Sequence, residues 1–256
     1  MQRKLKDMEY SEFLTRIREV KKMGYVKSHR EGPTGIGKTL EDLLGLKENN
    51  IQGPDFSNYE LKASRKGSNS MITLFTKKLE PDSGEKLWET YGNRGKGSTS
   101  SKSKQTLLVG SVGDDEYIPP SERRLHSTVI TQAENPDSFI LVVDENRITI
   151  KNKKNVECYY SLSILKETLE KKYASLIHVL ADHKKDKGQE YFWFNEAYLY
   201  SGFDFPTLMK VVREGRIKVD VRIGHYPDGR VHDHGTGLRI SPIYLPECFQ
   251  SKSKIL

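Results

Sequence analysis

Apolar residues follow two different periods along the chain. At Tyr10, Phe13, Leu14, Ile17 and Val20 they recur at three- and four-residue spacing, which predicts an amphipathic helix with Ser11 as its N-cap and Gly24 as its stop. Further helices are expected over Lys38 to Leu44, over Ser161 to Tyr173 on the stripe Leu162, Leu165 and Leu169, and from an Asp204 N-cap through Val212 to a stop at Gly215. Elsewhere the pattern is that of strands: Tyr59 to Lys62, Met71 to Thr76, a β-meander from Thr128 to Tyr160, Ser175 to Ala181, and Lys218 to Gly224. The turn Lys184 to Gly188 leads into Tyr191-Phe192-Trp193-Phe194, an aromatic run that reads as core rather than as a base-stacking platform.

Composition narrows the class. A chain of 256 residues buries a proper core as one large domain or as two lobes. Its 35% hydrophobic share and mean hydropathy of −0.67 describe a soluble protein. No run approaches the roughly 18 apolar residues needed to span a bilayer. The basic N-terminus has no apolar segment after it and is not a signal peptide. Only Cys158 and Cys248 are present, which fits a reducing cytoplasm. A net charge of +7 favours a polyanionic partner, most simply nucleic acid, over a merely basic soluble protein. Between Glu80 and Ser127 the composition shifts, and residues 92–104 are rich in Gly, Ser and Lys. That segment reads as a flexible linker or as a basic arm that orders on DNA, with Trp88 and Tyr91 anchoring it.

The candidate chemistry lies in Gly53 to Lys62. A strand puts every second side chain on one face, so Glu60 and Lys62 project together while Tyr59 and Leu61 turn away. Asp55 sits behind a Gly-Pro turn signal, and a short bend returns its carboxylate to the same spot. Two hard oxygen ligands beside a lysine suit metal-assisted hydrolysis of a phosphodiester, with the carboxylates holding Mg²⁺ and the ammonium orienting or helping to deprotonate water. An amphipathic strand with an incidental ion pair carries the same pattern. Glu41, one helical turn after Lys38, is either a further acid of this site or an exposed helix residue. Lys38 and Thr39 at a helix N-terminus, with Arg65, Lys66 and Lys77 in basic segments nearby, are candidates for the DNA backbone.

Gly32-Pro33-Thr34-Gly35-Ile36-Gly37-Lys38-Thr39 also satisfies the phosphate-binding loop pattern, and Phe139 to Glu145 resembles the strand and acid that accompany it in NTPases. That loop must follow a buried strand, whereas Gly24 to Glu31 is mostly polar. Asp144 to Arg147 reads as a hairpin turn between Val143 and Ile148, which predicts antiparallel strands instead.

Near the C-terminus, Lys218, Asp220 and Arg222 share one strand face while Val219, Val221 and Ile223 share the other. A loop then leads to His232-Asp233-His234-Gly235-Thr236-Gly237-Leu238-Arg239-Ile240. Such a set of Asp, Arg and His side chains reads base edges at G·C pairs. A zinc site at His225, His232, Asp233 and His234, or a surface salt-bridge ladder, are the competing readings.

Taken in order, Thr34 to Leu44, Pro54-Asp55 with Glu60-Leu61-Lys62, Thr73 to Lys77, Lys218 to Gly224, and His232 to Thr236 with Arg239-Ile240 resemble the MvaI/BcnI family of type II restriction endonucleases, on its MvaI side. More distantly the first half is similar to MutH, the mismatch-repair nicking enzyme. The matching blocks run from about residue 10 to about residue 240, and Glu80 to Asn155 match poorly. The resemblance implies an α/β (α+β) fold with a PD-(D/E)xK core, a mixed sheet flanked by helices, and two lobes forming a DNA cleft, residues 1–127 mainly catalytic and 128–256 mainly recognition. It makes Asp55 and Glu60 the Mg²⁺ ligands, Lys62 the residue that positions water, and Glu41 the acid beside them. It places Asp220, Arg222 and Arg239 on base edges, with Tyr226, His232, Asp233 and His234 in or near the same surface. The Asp-x-Arg-Ile-Gly pattern implies a target like CC(A/T)GG. Also implied are double-stranded DNA as partner, no nucleotide cofactor, action as a cytoplasmic prokaryotic monomer that nicks one strand and then the other, and 5′-phosphate and 3′-hydroxyl ends. A MutH-type strand-specific nickase is the alternative, with a P-loop NTPase or a noncatalytic DNA-binding protein behind it.

Overall fold

The computed structural model describes residues 8–46, 54–80, 105–107, 128–130, 140–151, 158–173, 175–221, 223–225, 231–233 and 236–256. Segment 92–104, Trp88, Tyr91, Arg222, Tyr226 and His234 lie outside the described residues. The chain forms two compact units, one from residues 1–72, 167–208 and 242–256, the other from 73–166 and 209–241. Each unit draws on both halves of the sequence.

The first unit is built on a mixed five-stranded sheet. Its spine, β10 (Gln189–Ser201), pairs antiparallel with β9 (Ser175–Asp186) on one edge and with β1 (Val26–Lys27) and β15 (Ser251–Lys254) on the other. Strand β2 (Tyr59–Arg65) joins β9 in parallel and forms the sheet's edge. The β9–β10 hairpin is longer than the sequence pattern predicts. Its turn is only Lys187-Gly188, at φ of 47° and 80°, a tight turn whose twist matches the strands, so Lys184 and Lys185 stay on the ladder. The aromatic run is core as expected, with Phe192 and Phe194 fully buried.

Two helices cover one face of this sheet. Helix α1 (Tyr10–Lys22) buries Phe13, Ile17 and Val20, and α2 (Gly35–Leu44) buries Ile36, Leu40 and Leu44 in the same core. Gly24 ends α1 in the left-handed region, but the N-cap position is Glu9 and Ser11 lies within the first turn. Helix α2 starts at Gly35 rather than Lys38. A Cβ on Gly35 would lie 2.2 Å from the Arg30 carbonyl oxygen and 2.6 Å from Ser28 Oγ, so only glycine lets these backbones meet. Thr39, fully buried, fastens the junction: its hydroxyl donates to the Gly35 carbonyl at 2.7 Å and accepts the His29 N–H at 2.9 Å. The opposite face of the sheet carries His178, 4% exposed, with Nε2 2.9 Å from Ser64 Oγ.

In the second unit β3 (Ile72–Lys77), β14 (Thr236–Ile240), β11 (Ile217–Val221) and β5 (Thr128–Ile130) form one sheet in that order. A smaller sheet joins β13 (Val231–Asp233), β12 (Ile223–His225) and β4 (Gln105–Leu107). Strands β6 (Ile140–Val143), β7 (Arg147–Lys151) and β8 (Cys158–Ser161) are an antiparallel meander, so the expected meander is narrower and excludes β5. Val143 pairs with Ile148 across a turn in which the Asp144 carboxylate accepts the N–H groups of Asn146 and Arg147. Asp144 is thus a turn residue between antiparallel strands, as read. Helices α3 (Leu162–Lys172) and α4 (Phe205–Arg213) contain residues of both units. Asp204 caps α4 through Thr207 N–H at 2.9 Å, and Gly215 follows it at φ 70°. Among the described residues no helix is long and apolar enough to cross a membrane.

Two stability measurements follow from this packing. Gly35→Ala is expected to cost about 1–3 kcal/mol by overpacking, and Gly37→Ala, which meets nothing within 4 Å, to be neutral or stabilising by up to about 1 kcal/mol; equal melting temperatures for the two variants would contradict the close approach. Burial holds the His178 pKa down to about 4 against an ordinary 6.5, and Lys252 adds to the shift. The unfolded ring therefore takes up a proton that the folded ring refuses, and its contribution to stability is complete above 6.5 and lost as pH falls toward 4, about 3 kcal/mol in all. Unfolding followed across this range should show a shallower pH slope in His178→Gln.

Candidate active site

The two ends of the Asp55 to Lys62 stretch are brought together by packing. Phe56, fully buried, stacks on Phe13 of α1 with ring centroids 5.0 Å apart and on Tyr59 at 5.4 Å, while Tyr59 also stacks on Tyr10 at 5.0 Å. Between these anchors the chain bends at Ser57, which takes φ 44°. Asp55 N–H donates to the Tyr59 carbonyl at 3.0 Å, and the Asp55 carboxylate accepts the Leu61 N–H at 2.7 Å. The bend thus returns Asp55 to the edge of β2 and fixes its side chain there.

Leu61 faces the helices and is buried in their core. Glu60 and Lys62 face the other way, and Lys62 Nζ donates to Glu60 Oε1 at 2.6 Å. Glu60 is 1% exposed. Burial raises its pKa and the nearby Asp55 carboxylate adds to this, while Lys62 and Lys172 oppose it. Burial works to lower the Lys62 pKa, but Glu60, Asp55 and Glu41 outweigh it and raise the value, so the amine is an ammonium at neutral pH. Glu41 therefore lies within electrostatic reach of Lys62, on α2. Two further groups converge here that the sequence pattern did not single out. Lys172 Nζ is 3.2 Å from the same Glu60 Oε1, and buried Tyr173 has its hydroxyl pKa raised by burial and by Glu60 and Asp55. Their signal was on the helix stripe: from Leu169 the next apolar positions are 172 and 173, and the first of them is a lysine.

Glu60 Oε2 is buried and, among the described residues, has no hydrogen-bond partner, a costly condition for a carboxylate oxygen that a cation beside it would relieve. Among the described residues no group of three or more His, Cys, Asp and Glu side chains is placed to hold a metal ion together. An all-oxygen pair of carboxylates suits Mg²⁺, which completes its shell with waters, rather than a four-ligand zinc site.

The cations expected on the DNA backbone are largely engaged within the protein. Arg65 binds Glu190 through Nε at 2.6 Å and Nη2 at 2.7 Å, reaches the Gly32 and Pro33 carbonyls, and lies 5.1 Å over the Phe192 ring. Lys66 pairs with Glu196 at 3.1 Å, and Lys38 with Asp42 at 2.8 Å. The buried Thr39 hydroxyl is committed to backbone groups. Lys77 ends β3, half-buried, with its carbonyl accepting the Tyr160 hydroxyl at 3.1 Å.

In the second unit Asp220 is not a surface carboxylate. It is 1% exposed and accepts from Arg239 Nη1 at 2.7 Å, across neighbouring strands β11 and β14. Asp220 thus fixes the position of the Arg239 guanidinium. His232 and Asp233 belong to β13, paired with Gly224 and Ile223.

The MvaI/BcnI restriction endonuclease family matches residues 14–249 of the chain. Among solved structures, restriction endonuclease MvaI in complex with its cognate DNA substrate is similar at a TM-score of 0.76 and 27% identity, over 98% of this chain and 100% of that one. Restriction endonuclease MvaI in the absence of DNA is similar at a TM-score of 0.51 and 27% identity, over the whole of both chains. Comparison with curated proteins gave no match. The mixed sheet, its helices and these likenesses make the fold restriction-endonuclease-like, and with a family match reaching from within α1 to Phe249, the chain belongs to the MvaI/BcnI restriction endonuclease family.

Proposed function

We propose that this type II site-specific deoxyribonuclease hydrolyses double-stranded DNA with Mg²⁺, at the site formed by Asp55, Glu60 and Lys62 with Glu41 beside them. The observation that carries the reading is the buried Glu60 carboxylate, one oxygen bonded to ammonium groups and the other without a partner, next to a second fixed carboxylate. Asp55 and Glu60 would hold the ion. When bound, Mg²⁺ supplies a Lewis acid toward the phosphate and makes water a better nucleophile. Lys62, held charged by the surrounding acids, orients the attacking water and offsets negative charge on the phosphate. Attack in line with the departing 3′ oxygen leaves 5′-phosphate and 3′-hydroxyl ends.

Recognition is assigned to the second unit. Arg239, 24% exposed and held by a buried carboxylate, is a guanidinium with its direction set in advance, suited to donate in pairs to guanine O6 and N7. Arg222 is proposed for the same surface, with Tyr226, His232, Asp233 and His234 near it. The family resemblance and the likeness to MvaI with its cognate DNA support a short pseudosymmetric target of the CC(A/T)GG kind, cut by a monomer one strand at a time.

Asp55→Ala and Lys62→Ala should each slow plasmid cleavage in Mg²⁺ by about 100-fold or more while DNA binding in Ca²⁺ persists; full cleavage by either variant would remove the catalytic assignment. Sequencing the ends of a wild-type digest tests both the target and the 5′-phosphate product. Arg239→Ala should lose about 1–3 kcal/mol of discrimination at a G·C pair, read as the ratio of cleavage rates on the cognate site and on a site changed at that pair. An unaltered ratio would count against Arg239 as a reader.

A further inference from the structure

A lysine at the end of a helix is ordinarily a solvated side chain, and Lys171 is one: it is 64% exposed and pairs with Glu167 one turn back. Its neighbour behaves differently. Lys172 is 27% exposed, and its ammonium lies 3.2 Å from Glu60 Oε1. The helix itself sends it there. Leu165 and Leu169 are buried, and Tyr173, 4% exposed, closes the last turn by packing against the rings of Phe203 at 5.6 Å and Phe249 at 6.4 Å. With the stripe pinned on both sides, residue 172 is held over the active site. Both lysines then address the same oxygen, Lys62 at 2.6 Å and Lys172 at 3.2 Å, while Oε2 keeps no partner.

Three carboxylates, Glu60, Asp55 and Glu41, act on Lys62, and Lys172 brings a second positive charge to the cluster. If Lys62 were the only counter-ion of Glu60, any movement of its ammonium toward water or phosphate would strand a buried negative charge. We propose that Lys172 is a positioning residue of the active site, holding Glu60 through Oε1 so that Oε2 is presented and Lys62 is released for the chemistry. This rests on the catalytic reading given above. The same ammonium also opposes a divalent cation beside Glu60 by simple repulsion, so its removal has two effects of opposite sign, slower chemistry and tighter metal binding.

The test compares wild type, Lys172→Met, Lys172→Arg and Lys62→Ala in single-turnover cleavage at saturating Mg²⁺, and in the thermal shift produced by Ca²⁺ without DNA. Lys172→Met should cleave about tenfold or more slowly, yet reach its half-maximal thermal shift at a roughly threefold or more lower Ca²⁺ concentration. Lys172→Arg, which keeps the charge, should recover the rate to within about threefold. A Lys172→Met enzyme cleaving at the wild-type rate while Lys62→Ala is inactive overturns this proposal and leaves the catalytic site standing. Normal cleavage by Lys62→Ala takes down the catalytic reading itself. Slower cleavage with weaker Ca²⁺ binding, and Arg no better than Met, overturns the proposal in favour of a packing role for the helix end.

Discussion

The burial of one ionisable side chain governs the arrangement of the first unit. Taking the Glu60 carboxylate out of water carries a penalty of several kcal/mol on the scale of buried ions generally, and every element around it contributes to meeting that cost. Strand β2 aims it away from the apolar core that holds Leu61, Lys62 follows two residues later on the same face, and α3 delivers Lys172 from more than a hundred residues downstream. The charges offset one another only on Oε1. The other oxygen lacks a hydrogen-bond partner among the described residues, and the proposed Mg²⁺ would meet it there. A site of this kind is organised before its ligand arrives, and preorganisation is where such sites gain most of their catalytic effect.

The parts of the fold and site legible in the sequence are those encoded within a few residues of one another. The α1 stripe, the Asp204 cap, the Val143 to Ile148 hairpin and the opposed faces of Leu61 and Glu60 all follow from local periodicity or turn chemistry, and the structure contains each. What was not legible depends on partners far away in the chain. Arg65 reads as a DNA-backbone cation of a basic segment, and Glu190, 125 residues later, takes it as a bidentate pair. Asp220 looks like an exposed member of a polar face until strand β14 lays Arg239 beside it. Lys172 was the exception that left a local trace, as a lysine set where the leucine stripe continues.

The glycine-rich string at residues 32–39 shows why a motif needs its context. The same letters that cradle a phosphate in a nucleotide-binding loop here serve packing: Gly35 admits the Arg30 carbonyl, and Thr39 ties the helix start to His29. No orphaned amide cradle is required to explain them. The neighbouring apolar strand that ends in Asp144 likewise resolves into a turn whose carboxylate is spent on two backbone N–H groups. Gly35, Thr39 and Asp144 of that signature thus have roles in close packing and local hydrogen bonding.

The two units use a common electrostatic device. In each, a carboxylate 1% exposed holds cations that are about a quarter exposed: Glu60 holds Lys62 and Lys172, and Asp220 holds Arg239. Surface pairs such as Lys22 with Glu19 are different in kind, because both partners are well solvated and exchange water for one another at little gain. A cation tethered to a buried acid as its counter-ion, as Arg239 is to Asp220, cannot relax away without weakening that acid's compensation, so its position is kept while its outer edge stays accessible. On the proposed reading, a phosphodiester or a base edge arriving from solvent would meet donors that need little reordering on contact, with less entropy lost in forming each bond. The cost is borne during folding, when the acids are buried, and the return comes at binding, when the cations are already in place.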